Sequence, residues 1–178
     1  MNIKNAIIGT IVTIVIGGTA YTVSQSDIIK NFADDTGLTQ EQAEQYIKNI
    51  PEEQLAPWDE IGSEVIEEGQ EMIETANEID CVNYEYEWES STMSCPEAKA
   101  QINKFGKTEV LLGQSYIKLS LDSASMNDVK ETIRLIDELN SYLQFEVVRV
   151  SLNQSEIDEI RNLNSYNKAI LKTVLESN

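Results

Sequence analysis

Residues 126–150 read MNDVKETIRLIDELNSYLQFEVVRV, and within them Val129, Ile133, Ile136, Asn140, Leu143, Val147 and Val150 recur at spacings of 4, 3, 4, 3, 4 and 3. At 3.6 residues per turn, that rhythm places all seven on one side of an α-helix. The same spacing extends both ways along the chain. Upstream, Ala98, Ile102, Phe105, Leu112, Tyr116 and Leu119 predict a helix over about 97–121. Further upstream, Trp58, Ile61, Val65, Met72, Ala76 and Ile79 predict one of about six turns over 56–80. Downstream, Ile157, Ile160, Leu163, Ile170, Leu171, Val174 and Leu175 predict a last helix over about 155–176. The intervening segments around residues 122–127 and 151–154 are short and polar, which makes consecutive helices antiparallel neighbours. The expected class is therefore all-α, with an antiparallel four-helix bundle over residues 58–178. Asn140 is the one polar member of its stripe and reads as a buried amide that fixes helix register. Asn164 and Asn167 are either similar or exposed.

Residues 26–57 read as short helices and a linker. A helix over about 24–35 ends where Gly37 can take the left-handed conformation. Thr39 and Gln42 have the spacing of a capping box, which starts a second helix that Pro51 stops.

Residues 1–25 carry the apolar signal. From Asn5 to Gln25 there are 21 residues without a charge, long enough for a helix across about 30 Å of hydrocarbon. Gly9, Thr13 and Gly17 fall every four residues, a small-residue face on which a membrane partner's helix could pack. The competing reading is a secretory signal peptide cleaved after Ala20, since Gly18-Thr19-Ala20 offers small residues behind an apolar core. Under both readings Lys4 and the amino terminus stay cytoplasmic and the rest is exported, giving a single-pass membrane protein in one case and a secreted one in the other. Cys81 and Cys95 fit an oxidising compartment and are expected to form a disulfide.

Charge narrows the function classes. The chain has 31 acidic and 13 basic side chains and a net charge of −18, which argues against nucleic acid as a partner, because such binding depends on neutralising phosphates. The charge is uneven: residues 27–95 hold 19 acidic residues and two lysines, a balance of −17. Glu60, Glu64, Glu67, Glu68, Glu71, Glu74 and Glu78 share a face of the first long helix at spacings of three and four. Like charges so placed destabilise a helix by roughly 0.2 to 0.5 kcal/mol per pair. Either the face is solvated and keeps the protein soluble, or Lys99, Lys104, Lys107 and Lys118 of the next helix compensate it, or it docks a basic partner or cations. Tyr84, Tyr86 and Trp88 alternate with glutamates inside the cysteine loop, either as a cover for one end of the bundle or as a recognition tip.

There is no histidine, Gly-rich phosphate loop, nucleophile elbow or Glu-x-x-His pair, so no catalytic residue, cofactor or metal ligand is assigned. The expected function is a non-catalytic, membrane-anchored interaction protein, an accessory or assembly subunit of a larger membrane complex. Its expected partner contacts are Gly9, Thr13 and Gly17 towards a membrane protein and the bilayer. On the exported side they are Glu60, Glu64, Glu67, Glu71, Tyr84, Tyr86 and Trp88, towards a basic protein surface. The alternatives are a secreted soluble binding protein for a basic partner or cation, and an envelope hydrolase.

Overall fold

The computed structural model describes residues 11–51, 57–82 and 93–177. Among these residues the first element is a β-hairpin, β1 (Ile11–Ile16) and β2 (Thr19–Ser24), paired antiparallel from Ile11 opposite Ser24 to Ile16 opposite Thr19. The sequence expectation of a membrane helix differs here, and the composition supplies the reason. Ile11 to Ile16 are all β-branched, which favours a strand, and the next two residues are Gly17 and Gly18. Both take positive φ, 57° and 71°, the backbone of a two-residue hairpin turn with the strands' own twist. Val12, Ile14, Ile16 and Val23 are buried, so protein supplies the apolar surroundings that lipid would have given. The Gly17 N–H donates to the Leu119 carbonyl at 2.9 Å and ties the turn to the helical core. Among the described residues no helix is long and apolar enough to cross a membrane.

Among the described residues seven helices follow: α1 (Gln25–Thr36), α2 (Gln40–Asn49), α3 (Trp58–Glu78), α4 (Cys95–Ser120), α5 (Met126–Tyr142), α6 (Glu146–Ser151) and α7 (Gln154–Glu176). Gly37 ends α1 at φ 73°, its N–H bonded to the Ala33 carbonyl, and Thr39 and Gln42 form the capping box of α2 as their spacing predicted. The helix expected over 126–150 is two helices. The Leu143 N–H turns back to the Asn140 carbonyl, and Phe145 at ψ 139° leaves the helix and caps α6. The break lets Phe145 stack on Tyr142 at 4.6 Å while Val147 stays buried, so the stripe continues as far as Val147 although the helix does not, and its last member, Val150, is exposed.

The long helices α3, α4, α5 and α7 join with α1 and α2 in a chain of contacts. Their principal contacts run α3 to α4, α4 to α5, α5 to α7, α7 to α1 and α1 to α2. Helix α1 takes the place beside α7 that a closed bundle reserves for α3. Phe32 of α1 explains this: it is fully buried, stacked on Tyr46 of α2 at 5.2 Å and edge-on to Tyr166 of α7 at 6.3 Å. Asn31 adds a bond from its amide to the Thr173 hydroxyl at 3.0 Å. Asp35 meets Lys172 at 2.9 Å and Lys168 at 3.3 Å, and Lys168 also reaches Asp137 of α5. Asn140 has the partner its register role requires, accepting from the Asn164 amide of α7 at 3.0 Å.

Cys81 and Cys95 form the expected disulfide, with Cα atoms 5.6 Å apart, across the connection between α3 and α4. Closing a loop of 14 residues stabilises by about 3 kcal/mol, chiefly by restricting the unfolded chain. Reduction with a phosphine should therefore lower the thermal midpoint by roughly 6 to 12 °C for a chain of this size. Equal midpoints for the oxidised and reduced protein would show that the unfolded loop is already compact.

Candidate functional site

Helices α3 and α4 form an antiparallel pair whose backbones touch. Gly62, Gly69 and Ala76 recur every seven residues on α3, and Gly106 and Gly113 do the same on α4. A Cβ at Gly62 would lie 2.5 Å from the Gly113 carbonyl oxygen, and one at Gly69 would lie 2.6 Å from that of Gly106. Both are distances that real Cβ atoms do not sustain. At one end, Trp58 stacks on Tyr116 at 5.4 Å and anchors the start of α3 in the core. Glycine is needed here for its lack of a side chain, at helical φ, and not for conformational freedom.

The acidic row points away from this contact. Glu60, Glu64, Glu67, Glu71, Glu74 and Glu78 are exposed, and no ion pair among the described residues includes any of them. The lysines on α4 are engaged differently from a charge-neutralising role. Lys99 donates to the Ile79 carbonyl at 3.1 Å and the Asn77 carbonyl at 3.4 Å, closing the C-terminal end of α3. Lys104 lies over the Tyr142 ring at 4.6 Å, and Lys118 pairs with Asp128 at 2.6 Å.

Glu68 and Glu109 stand apart from the row. Each fills a gap in an apolar stripe: Glu68 between Val65 and Met72, Glu109 between Phe105 and Leu112. Glu109 is only 7% exposed, and its Oε2 is buried without a hydrogen-bond partner. Burial, followed by the charge of Glu68, pushes its carboxyl up to about 8, so it is mostly protonated at neutral pH. Burial also raises Glu68, with Glu64 and Glu71 adding to the shift. Sequence reasoning passed over Glu109, although the missing beat between Phe105 and Leu112 marks it. Among the described residues no group of three carboxylate or thiolate side chains is arranged to hold a metal ion.

Of the remaining sequence-selected residues, only Thr13 and Gly17 are described. Thr13 sits in β1 opposite Thr22 and Gly17 in the hairpin turn, so they share no helical face, and Gly9 lies outside the described residues. Tyr84, Tyr86 and Trp88 also lie outside the described residues. Comparison of the chain with protein-family models, curated proteins and solved structures finds no match.

Proposed function

We propose that the protein is a non-catalytic interaction protein, an accessory or assembly subunit whose helix α3 docks a basic surface of its partner. The observation that carries this reading is the exposed row of α3 carboxylates, which no cation among the described residues neutralises. Such a row weakens its own helix, and a partner's cations would relieve the repulsion. The disulfide favours an exported location. Retention of residues 11–20 is supported by Val12, Ile14 and Ile16, whose burial would be lost on cleavage after Ala20, at roughly 1.5 to 3 kcal/mol per side chain. The partner contact is accordingly assigned to α3 and not to Gly9, Thr13 and Gly17.

The test compares the full-length, oxidised protein with a variant carrying Glu60→Gln, Glu64→Gln, Glu67→Gln and Glu71→Gln. In mild detergent at low salt the native protein should co-purify with a partner at near-equal stoichiometry, and 0.5 M salt should release it, because screening acts over about 10 Å at 0.1 M and less at higher salt. The variant should be as stable as the native protein or more so, yet recover little partner. Equal recovery by both proteins would reject the reading.

A further inference from the structure

One side of the α3–α4 pair faces the core, and the other carries an apolar seam that none of the described residues covers. Three of the four glycines of the contact lie beneath an isoleucine side chain of the opposite helix. A Cβ at Gly62 would meet Ile117 Cγ1 at 2.7 Å, one at Gly113 would meet Ile66 Cγ1 at 2.7 Å, and one at Gly106 would meet Ile73 Cγ1 at 3.2 Å. Gly69 differs: a Cβ there would meet the Glu109 Cβ and the Val110 backbone nitrogen, each at 2.9 Å, which places Val110 at this level of the pair. Ile117, Ile66, Val110 and Ile73 thus alternate along a seam of roughly 16 Å, three helical turns. All four are half-buried, and none packs against the buried core, unlike Ile61, Val65 and Met72 on the opposite side.

The borders of the seam are asymmetric in charge. Glu67 and Glu74 follow Ile66 and Ile73 by one residue and so stand about 100° further round α3, exposed and outside every ion pair among the described residues. Lys107 and the half-exposed Leu111 border the α4 side. A second copy of the chain would bring a net charge of −18 and its own unneutralised row against this face. An amphipathic helix with an apolar stripe and a cationic flank matches both features.

We propose that the outer α3–α4 seam is the docking groove for a basic amphipathic helix of the partner, its apolar stripe on Ile66, Ile73, Val110 and Ile117 and its cations against Glu67 and Glu74. This rests on the reading that the partner is basic and specifies how that partner is held.

The probe is an 18-residue amphipathic Leu/Lys helix, with a scrambled isomer of equal charge and a Leu/Glu helix as controls. Each is titrated into full-length, oxidised protein labelled at isoleucine methyls. The Leu/Lys helix should shift Ile66, Ile73 and Ile117 while sparing the core methyls of Ile28, Ile136 and Ile170, and bind at least tenfold more tightly than the scrambled isomer. Ile73→Gln should weaken it about tenfold, with the methyl map of the native protein standing as the readout if that variant folds poorly. Equal binding of the two Lys peptides without seam shifts overturns the groove and leaves the basic-partner reading intact. Failure of both Lys peptides at low salt overturns both. Equal binding of the Leu/Glu helix overturns the charge assignment. Concentration-dependent dimerisation that protects the same methyls overturns the choice of occupant.

Discussion

Replacing Glu109 by glutamine is expected to leave stability nearly unchanged at pH 5 and to raise it by a few kcal/mol at pH 8. In the folded chain the carboxyl ionises near 8, against 4.5 for the unperturbed group, because it is buried with an unpartnered oxygen and faces Glu68. Between those values the folded state holds a proton that the unfolded state has released. Stability therefore falls as pH rises from about 4.5 to about 8, at up to about 1.4 kcal/mol per pH unit, and levels off above. Glutamine resembles the protonated acid and has nothing to ionise, so its unfolding free energy should stay flat through the window. The chain has no histidine, which keeps the background shallow between pH 5 and 8. Denaturant titrations at pH 5, 6.5 and 8 read the effect directly. A glutamine variant that follows the native pH profile would show that Glu109 is ionised in the folded protein. Glu68→Gln should flatten the same profile partly, since the charge of Glu68 is the lesser cause.

Gly62→Ala is expected to destabilise the protein by about 1 to 3 kcal/mol, the cost of overfilling a close-packed contact. The sign is the informative part. In an exposed helix interior the same change stabilises by up to about 1 kcal/mol, because alanine gives up less backbone freedom on folding. Here the new methyl would lie 2.5 Å from the Gly113 carbonyl oxygen, 2.7 Å from Ile117 Cγ1 and 2.9 Å from the Ile117 nitrogen. Two of the three atoms are backbone, so a change of side-chain rotamer cannot relieve the clash and α3 must move away from α4. Ser63→Ala, one residue on and exposed, is the control and should be neutral or slightly stabilising. Gly62→Leu should separate the pair and expose Trp58, seen as a red-shifted tryptophan emission in a Trp88→Phe background. A Gly62→Ala protein more stable than the native one would mean that the helices do not pack this closely.

Much of the helical layout was legible because it is local. The 4-3 rhythm of α4, α5 and α7, the Thr39 and Gln42 box and the Gly37 terminator all act within a few residues; α4 and α7 begin and end close to where the pattern places them, and α5 begins there. The break at residues 143–145 was not legible, because periodicity alone is indifferent to a kink that preserves the inward face. The acidic row could be read from spacing, whereas its lack of neutralising lysines could not. Lys99 was free by sequence to face Glu74 or Glu78 and instead closes the carbonyl end of α3.

By itself the sequence determined the helical class, the Cys81–Cys95 pairing, the concentration of negative charge on α3 and the absence of histidine chemistry. Each is a property of composition or of spacing along one element. Tertiary structure alone decided what residues 11–24 form, because a run of β-branched residues suits a membrane span or a strand on a protein core, and here Val12, Ile14 and Ile16 are buried in a hairpin. It decided that α1 and not α3 lies beside α7, since Phe32 needs the rings of both Tyr46 and Tyr166. It also buried Glu109 so that its carboxyl keeps its proton at neutral pH, and brought Ile66, Ile73, Val110 and Ile117 into one seam, because both depend on how closely the Gly62, Gly69, Gly106 and Gly113 backbones meet, and no single helix encodes that distance.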